Sequence, residues 1–181
     1  MATVRGFKGR DRSRGLTMVE MAVSVAITAI IASGAVSMGS EFVDQASRRQ
    51  VRELLQTAHH KAMSAAIKNA SALPAGEANS IFCIGSDHRI RVFTDDNTLS
   101  TPSTLPTACE STSGTPVWTG LISGGEKTTI NQANGSKLVC MAFDKTGKAV
   151  DRSMAAGSCS KGSSAAVARG GKSITVNWVA S

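Results

Sequence analysis

The chain has 181 residues, of which 41% are hydrophobic and 18% charged, and its formal net charge is +7. This balance is too apolar for a disordered chain and too polar for a protein with many membrane spans, and the length excludes a large two-domain enzyme. Only 4% of the residues are aromatic and none is tyrosine, so we expect a core of Val, Ile, Leu, Met and Ala.

The N-terminal region combines a basic segment with an uncharged apolar run. Residues 1–15 carry five basic side chains, whereas Met21–Ser40 contains no charged residue. As a helix, Met21–Met38 would be about as long as the roughly 30 Å hydrocarbon core of a bilayer. The preceding charges predict a cytoplasmic N-terminus and an outward C-terminal part. An ordinary secretory signal is the alternative, because residues 32–35 are small enough for a cleavage site.

Glu20 lies at the start of the apolar run. A carboxylate at a membrane edge is costly and usually has a partner. If the chain is cut after Gly15, the new α-amino group of Leu16 could pair with Glu20 on the same or a neighbouring chain. The alternative is an interfacial glutamate that the helix dipole favours.

The run Arg14-Gly15-Leu16-Thr17-Met18-Val19-Glu20, followed by an apolar helix, resembles the class III signal of type IV prepilins and type II secretion pseudopilins. The resemblance implies cleavage by a prepilin peptidase between Gly15 and Leu16, N-methylation of Leu16, and a role for Glu20 in orienting one subunit against the next. It also implies a single-pass inner-membrane anchor, a periplasmic C-terminal domain, and assembly with other pilin or pseudopilin subunits. The family usually has Phe at the position of Leu16.

A single long helix is predicted from Thr17 to Asn69, because no proline precedes Pro74 and apolar residues recur at helical spacing beyond Ser40. The expected apolar stripe is Val51, Leu55, Ala58, Ala62, Ala66 and neighbours including Ile67. Arg48 and His60 are expected on the polar face. The chain would then comprise a removed leader (1–15), a long helix (16–69, membrane-spanning over about 17–40) and a globular β-rich domain (70–181).

The C-terminal domain reads as strands and turns. Candidate strands are Ser80–Ile84, Arg89–Thr94, Val117–Ile122, Thr128–Asn131, Leu138–Phe143 and Ser173–Val179. The segments 95–116 and 155–171 are rich in Ser, Thr, Pro and Gly and are predicted as surface loops. The expected fold class is therefore α+β, a pilin-like lollipop in which a long helix, first transmembrane and then amphipathic, packs on an antiparallel sheet domain.

Four cysteines lie in this outward domain: Cys83, Cys109, Cys140 and Cys159. An exported domain permits disulfides, and four cysteines allow three pairings. The pairing Cys83–Cys109 with Cys140–Cys159 is favoured, because each bond would tie a strand to the long loop that follows it. Zinc is disfavoured, since the chain has no Cys-x-x-Cys and its histidines lack ligand spacing.

Within the superfamily, the layout is most similar to the FimT/GspH (pseudopilin H) minor pilin group. The similarity rests on the helix stripe leading to Ile81-Phe82-Cys83, on Phe143-Asp144-Lys145-Thr146-Gly147, which resembles that group's Phe-x-x-x-Gly turn, and on a final strand at Ile174-Thr175-Val176. The absence of a proline midway along the apolar helix favours a minor subunit or pseudopilin over a major pilin.

No catalytic motif or cofactor signature is found, and neither an enzymatic activity nor a metal is expected. His59-His60 is interpreted as a solvated helix face, because adjacent helical residues point about 100° apart and chelate one metal poorly.

The C-terminal third has an excess of basic residues that suggests a second function. The candidates are Lys137, Lys145, Lys148, Arg152, Lys161, Arg169 and Lys172. Such a patch could contact the phosphates of double-stranded DNA, and FimT-like minor pilins are associated with DNA uptake. The alternatives are a solvated basic face and a contact with an acidic neighbouring subunit.

Overall fold

A computed structural model describes residues 17–69, 76–95, 105–111 and 115–178, without the side chains of residues 35–37. One α-helix, α1, runs from Met18 to Lys68, close to the predicted bounds. The chain divides into two compact units between Ser40 and Glu41. The first unit contains the beginning of α1, and the second contains the rest of α1 and every strand described below.

The strands form three antiparallel sheets. Their bounds are β1 (Ser80–Ile84), β2 (Arg89–Thr94), β3 (Trp118–Leu121), β4 (Thr129–Gln132), β5 (Cys140–Phe143), β6 (Ala149–Val150), β7 (Ser153–Met154), β8 (Gly157–Ser158), β9 (Ser164–Arg169) and β10 (Lys172–Asn177). The five-stranded sheet has the order β3-β2-β1-β5-β6, the three-stranded sheet the order β10-β9-β4, and β7 pairs with β8. The α+β class predicted from the sequence, a long helix with antiparallel sheets, is confirmed.

The main core lies between the second half of α1 and the two larger sheets. Val51, Leu55, Ala58, Ala62 and Ala66 are fully buried on α1 at the predicted spacing. They belong to one apolar cluster with residues from the β1, β2, β5, β9 and β10 strands, including Phe82, Val92, Phe143, Val167 and Val176. The small alanines allow the helix to approach the sheets closely, so that the Ser80 hydroxyl donates to the Ala62 carbonyl at 2.5 Å.

A second core cluster lies on the other side of the five-stranded sheet. Because side chains alternate along a strand, Phe82 joins the first cluster while Ile81 and Cys83 join the second. Two disulfides close this cluster, Cys83–Cys109 with a Cα–Cα distance of 5.7 Å and Cys140–Cys159 with 4.5 Å. This is the pairing that the sequence favours. The first bond ties the segment between β2 and β3 to strand β1, and the second ties the segment after β8 to strand β5.

The expectation of a surface loop over residues 155–171 is wrong. Strand β9 lies within it and is the central strand of its sheet, paired with both β10 and β4. Ala165 and Val167 are almost completely buried. Pairing on both edges makes up for the weak strand propensity of the alanine-rich segment Ser164–Arg169.

Candidate assembly helix and basic surface

The first turn of α1 holds Glu20 in a capping box. The Thr17 backbone N–H donates to Glu20 Oε2 at 2.9 Å, the Thr17 hydroxyl donates to the same oxygen at 3.0 Å, and the Glu20 N–H donates to Thr17 Oγ1 at 3.3 Å. These reciprocal bonds satisfy backbone donors that a helix start otherwise leaves without partners. They also hold the Glu20 carboxylate at the N-terminal end of the helix. Gly15 and Leu16, the predicted cleavage site, lie outside the described residues.

The helix that follows Glu20 is apolar and exposed. An 18-residue window of α1 has a mean hydropathy of 2.0, and none of it is buried inside the protein. Val25 and Ile30, for example, are 67% and 71% exposed. The hydroxyls of Ser24 and Thr28 donate to the carbonyls of Glu20 and Ser24, both at 2.7 Å, so these polar groups are satisfied within the helix. By length and composition, this segment can cross a membrane.

The seven basic residues singled out from the sequence do not form one set of free charges. Arg169 is 9% exposed in its side chain and its Nε donates to Asp44 Oδ1 at 2.7 Å. Lys172 pairs with Glu41 and Lys161 with Asp151. Arg152 donates to the Leu105 carbonyl at 2.8 Å, and burial lowers the pKa of its guanidinium. Arg169 was expected in an open loop, but its side chain is largely buried and stabilises the fold through its ion pair with Asp44.

Three of the seven differ from the equally exposed Lys161 and Lys172, which are paired with carboxylates. Lys137, Lys145 and Lys148 are exposed. Within the described ranges, none of the three forms an ion pair with a carboxylate. Lys145 and Lys148 lie on the turn between β5 and β6, and Lys137 precedes β5. Among the seven candidates, these three are therefore the ones whose ammonium groups are available for contact with an anion.

Residues 10–36 match the model of the prokaryotic N-terminal methylation motif. The motif supports a type IV pilin-like family. It includes Gly15, Leu16 and Glu20, and the structure places Glu20 in the first turn of α1, which begins inside the matched residues. No curated protein and no solved structure matches the chain. The more specific FimT/GspH assignment thus rests on the resemblance alone.

The motif has direct consequences for this pilin-like chain. It implies processing by a prepilin peptidase and assembly with other pilins. Together with the exposed apolar start of α1, it fits anchoring in a membrane. Within the described residues, no group of three or more His, Cys, Asp and Glu side chains is arranged to hold a metal ion.

The turn after β5 is built around a buried carboxylate. Asp144 Oδ1 accepts hydrogen bonds from the backbone and hydroxyl of Thr146 and from the Lys148 N–H, at 2.6–3.0 Å, and Oδ2 accepts from the Gly76 N–H at 3.1 Å. Burial raises the pKa of Asp144, but these hydrogen bonds outweigh it and hold the pKa below its usual value. Gly147 has a φ of +82°, a conformation that favours glycine. The Phe-x-x-x-Gly run is thus a turn that presents Lys145 and Lys148.

Two residues that were predicted on the polar face of α1 are buried. His59 is 4% exposed and stacks on Trp178, with ring centroids 5.0 Å apart and planes 8° apart. Arg48 is 5% exposed and donates to the Arg169 carbonyl at 2.6 Å. The spacing of both residues indicates burial. Arg48 lies three residues before the core residue Val51 and His59 lies eight residues after it, and such offsets place residues on the same face of a helix. Conversely, Ile67, predicted in the apolar stripe, is 49% exposed.

Proposed function

We propose that the chain is a minor pilin or pseudopilin subunit, of the FimT/GspH type, that assembles through its N-terminal helix into a type IV pilus or a type II secretion pseudopilus. The observation that carries the proposal is the methylation motif, which extends into an exposed apolar helix with Glu20 in its first turn. In water, such a surface is unfavourable, so it needs lipid or the equivalent helices of neighbouring subunits around it.

In this proposal, a prepilin peptidase cuts between Gly15 and Leu16 and methylates the new Leu16 amine. The helix anchors the subunit in the inner membrane, with the β-rich domain in the periplasm, where disulfides such as Cys83–Cys109 and Cys140–Cys159 can form. Glu20 then pairs with a Leu16 amine. The capping box supports this role, because it keeps the carboxylate at the end of the helix next to the new terminus.

Filament incorporation of Glu20→Ala tests the proposal. We expect membrane insertion to be unchanged and incorporation to fall about tenfold or more, because a charge-assisted bond is worth roughly 1.5–3 kcal/mol. Glu53→Gln, which removes an exposed carboxylate from the second half of α1, is the matched control and should incorporate normally. Incorporation of Glu20→Ala at the wild-type level would refute the Glu20–amine pairing.

The choice between pilus and pseudopilus is open to a genetic test. Deletion of a pilus subunit should reduce surface filaments, whereas deletion of a pseudopilin should block the release of secreted proteins. In either machine we propose that the chain acts through its interfaces and performs no catalysis.

DNA binding is the second candidate function. It is favoured by three exposed lysines, Lys137, Lys145 and Lys148, which form no ion pair with a carboxylate in the described ranges. Three phosphate contacts predict a log–log salt slope of about −2.7 with duplex DNA. We would titrate the full chain in non-ionic detergent with duplex DNA at several salt concentrations.

Two triple variants separate the free lysines from the paired ones. Replacing Lys137, Lys145 and Lys148 by Met should abolish DNA binding. Replacing Lys161, Arg169 and Lys172 by Ala should change DNA binding little, as measured on the folded fraction of that variant. No binding by the wild type at low salt, or equal binding by the lysine-to-methionine variant, would refute the DNA function and leave a structural subunit.

A further inference from the structure

The second unit begins where the uncharged part of α1 ends. Residues 21–40 carry no charged side chain, and Glu41 is the first residue of the second unit. Twenty helical residues rise about 30 Å, which is the thickness of the hydrocarbon core of a bilayer. If this run crosses the membrane, as in the proposed function on which this inference rests, then Glu41 and the groups in contact with it lie at the membrane surface.

Two turns of the sheet domain, residues 123–128 and 169–172, are held close to this point. Lys172 forms an ion pair with Glu41. Arg169 donates from Nε to Asp44 Oδ1 at 2.7 Å. Arg169 also reaches the other turn, where its Nη1 donates to the Gly124 carbonyl at 3.0 Å. Both turns therefore pack near the first residues of the second unit.

This end of the domain carries three basic side chains that are available to an anion. Arg49 and Arg52 on α1 and Lys127 in the first of the two turns are exposed. Among the residues that the structure describes, none of the three forms an ion pair. In the two turns and residues 41–53 together, six basic side chains stand against four acidic ones. The surface thus has an excess of positive charge.

An exposed aromatic residue accompanies these cations. Phe42 is 70% exposed, and its neighbour Val43 is 58% exposed. Phe42 and Arg49 are seven residues apart, about two helical turns, so they lie on one side of α1. At a membrane interface, aromatic rings lie at the level of the headgroups, and long cationic side chains extend along apolar surface to keep their charge in the polar layer. The order of Phe42 and Arg49 after the uncharged run matches the order of these layers.

The chemistry of this surface favours anionic phospholipids. A guanidinium group binds phosphate oxygens through two N–H donors at once, and each basic side chain near an anionic membrane strengthens binding about fivefold. A soluble polyanion would meet the same cations but would leave Phe42 exposed to water. We propose that the surface formed by Phe42, Arg49, Arg52 and Lys127 binds the phosphate groups of anionic phospholipids and holds the domain against the membrane until the subunit is assembled.

Spin-labelled lipids measure this contact in the intact chain. We would reconstitute the full chain in phosphatidylcholine vesicles that contain a trace of spin-labelled phosphatidylglycerol or spin-labelled phosphatidylcholine. Electron paramagnetic resonance then gives the motionally restricted fraction of each label, and the ratio of the two fractions is the preference for the anionic lipid. We expect a preference for phosphatidylglycerol that falls about twofold or more in the triple variant Arg49→Gln/Arg52→Gln/Lys127→Gln, because the phosphate groups lose three partners. The five basic residues of the leader affect every variant equally.

A second triple variant, Lys61→Gln/Lys68→Gln/Lys145→Gln, is the matched control. It removes the same number of exposed cations, and Lys61 and Lys68 follow Arg49 on α1 by about 18 and 28 Å. The control should keep the wild-type preference. No preference in the wild type, or equal preferences in the two triple variants, would overturn the proposal.

Flotation of the same samples on a density gradient separates this inference from the proposed function. A chain that does not float with the vesicles would refute membrane anchoring, and with it both the proposed function and the lipid contact. A chain that floats but has equal preferences in the two triple variants would refute the lipid contact alone.

Discussion

The two halves of α1 have opposite surroundings although they belong to one continuous helix. In the first half, Val25 and Ile30 are more than 60% exposed, whereas in the second half Val51, Leu55 and Ala58 are completely buried. The first half carries apolar residues around its whole circumference, and the second carries them on one stripe. An all-round apolar surface cannot be satisfied by one small domain, so the first half is suited to lipid or to other helices.

The polar groups of the two halves differ in the same way. In the first half, the Glu20 carboxylate accepts hydrogen bonds from Thr17, three residues earlier, and no other charged residue occurs from Thr17 to Ser40. In the second half, Asp44 and Arg48 are tied to Arg169 at the end of β9. The sheet domain thus fixes the helix from about Glu41 onward, where the division between the two units lies.

The largest expected effect comes from a cavity in the buried half. Leu55→Ala should lower the free energy of unfolding of the domain by about 2–5 kcal/mol, because Leu55 is fully buried between helix and sheets. Val25→Ala shortens an exposed side chain in the other half and should leave this free energy unchanged. Urea denaturation of both full-length variants, followed by tryptophan fluorescence, measures the difference. Similar losses in both variants would contradict the division of α1 into an assembly half and a domain half.

A smaller effect is expected at the ion pairs that hold the start of the second half. Arg169→Met should cost about 2 kcal/mol, since it leaves the partly buried Asp44 carboxylate without its guanidinium partner. Lys172→Met removes the exposed pair with Glu41 and should not shift the urea midpoint measurably. If the two variants were equally stable, the Arg169 contacts would not fasten the helix.

The smallest expected effect is a pH dependence from His59. Its pKa is about 4 in the folded protein and near 6.5 when unfolded. Between these values the unfolded chain binds the proton and the folded chain does not, so stability is full above pH 6.5 and falls as the pH is lowered. The loss between pH 6.5 and pH 5 should be about 1.5 kcal/mol.

Variants of the two adjacent histidines isolate this contribution. His59→Phe keeps an aromatic ring against Trp178 and should remove most of the slope of unfolding free energy between pH 6.5 and pH 5. His60→Gln, at an exposed position, should retain it. A slope that persists in His59→Phe would assign the effect to other groups.

Much of the fold follows from local patterns in the sequence. The uninterrupted spacing of apolar residues predicts α1 to within one residue at each end, and the strands β1 and β2 begin and end where alternation and turn residues place them. Strand β9 was missed because Ser164–Arg169 has mostly small side chains between glycines. Its stability depends on two partner strands that are distant in sequence, β4 and β10, which local pattern cannot reveal.

The candidate site is predictable where it depends on adjacent residues and unpredictable where it depends on long-range partners. Thr17 and Glu20 are three residues apart, so their capping box is local. The pairing of Arg169 with Asp44 joins residues 125 positions apart, and it converts an apparent DNA-contacting residue into a structural one. His59 appeared solvated because of its type and its neighbour His60, whereas Trp178 and Phe143 make its environment apolar.

The central claim is that a peptidase releases the first half of α1 as the new N-terminus of an assembling subunit. The intact mass of the protein recovered from membranes, after co-expression with a prepilin peptidase, tests it most directly. We expect a chain that begins at Leu16 and carries one additional methyl group. An uncut chain, or one cut near residues 32–35, would contradict this claim and indicate an ordinary signal.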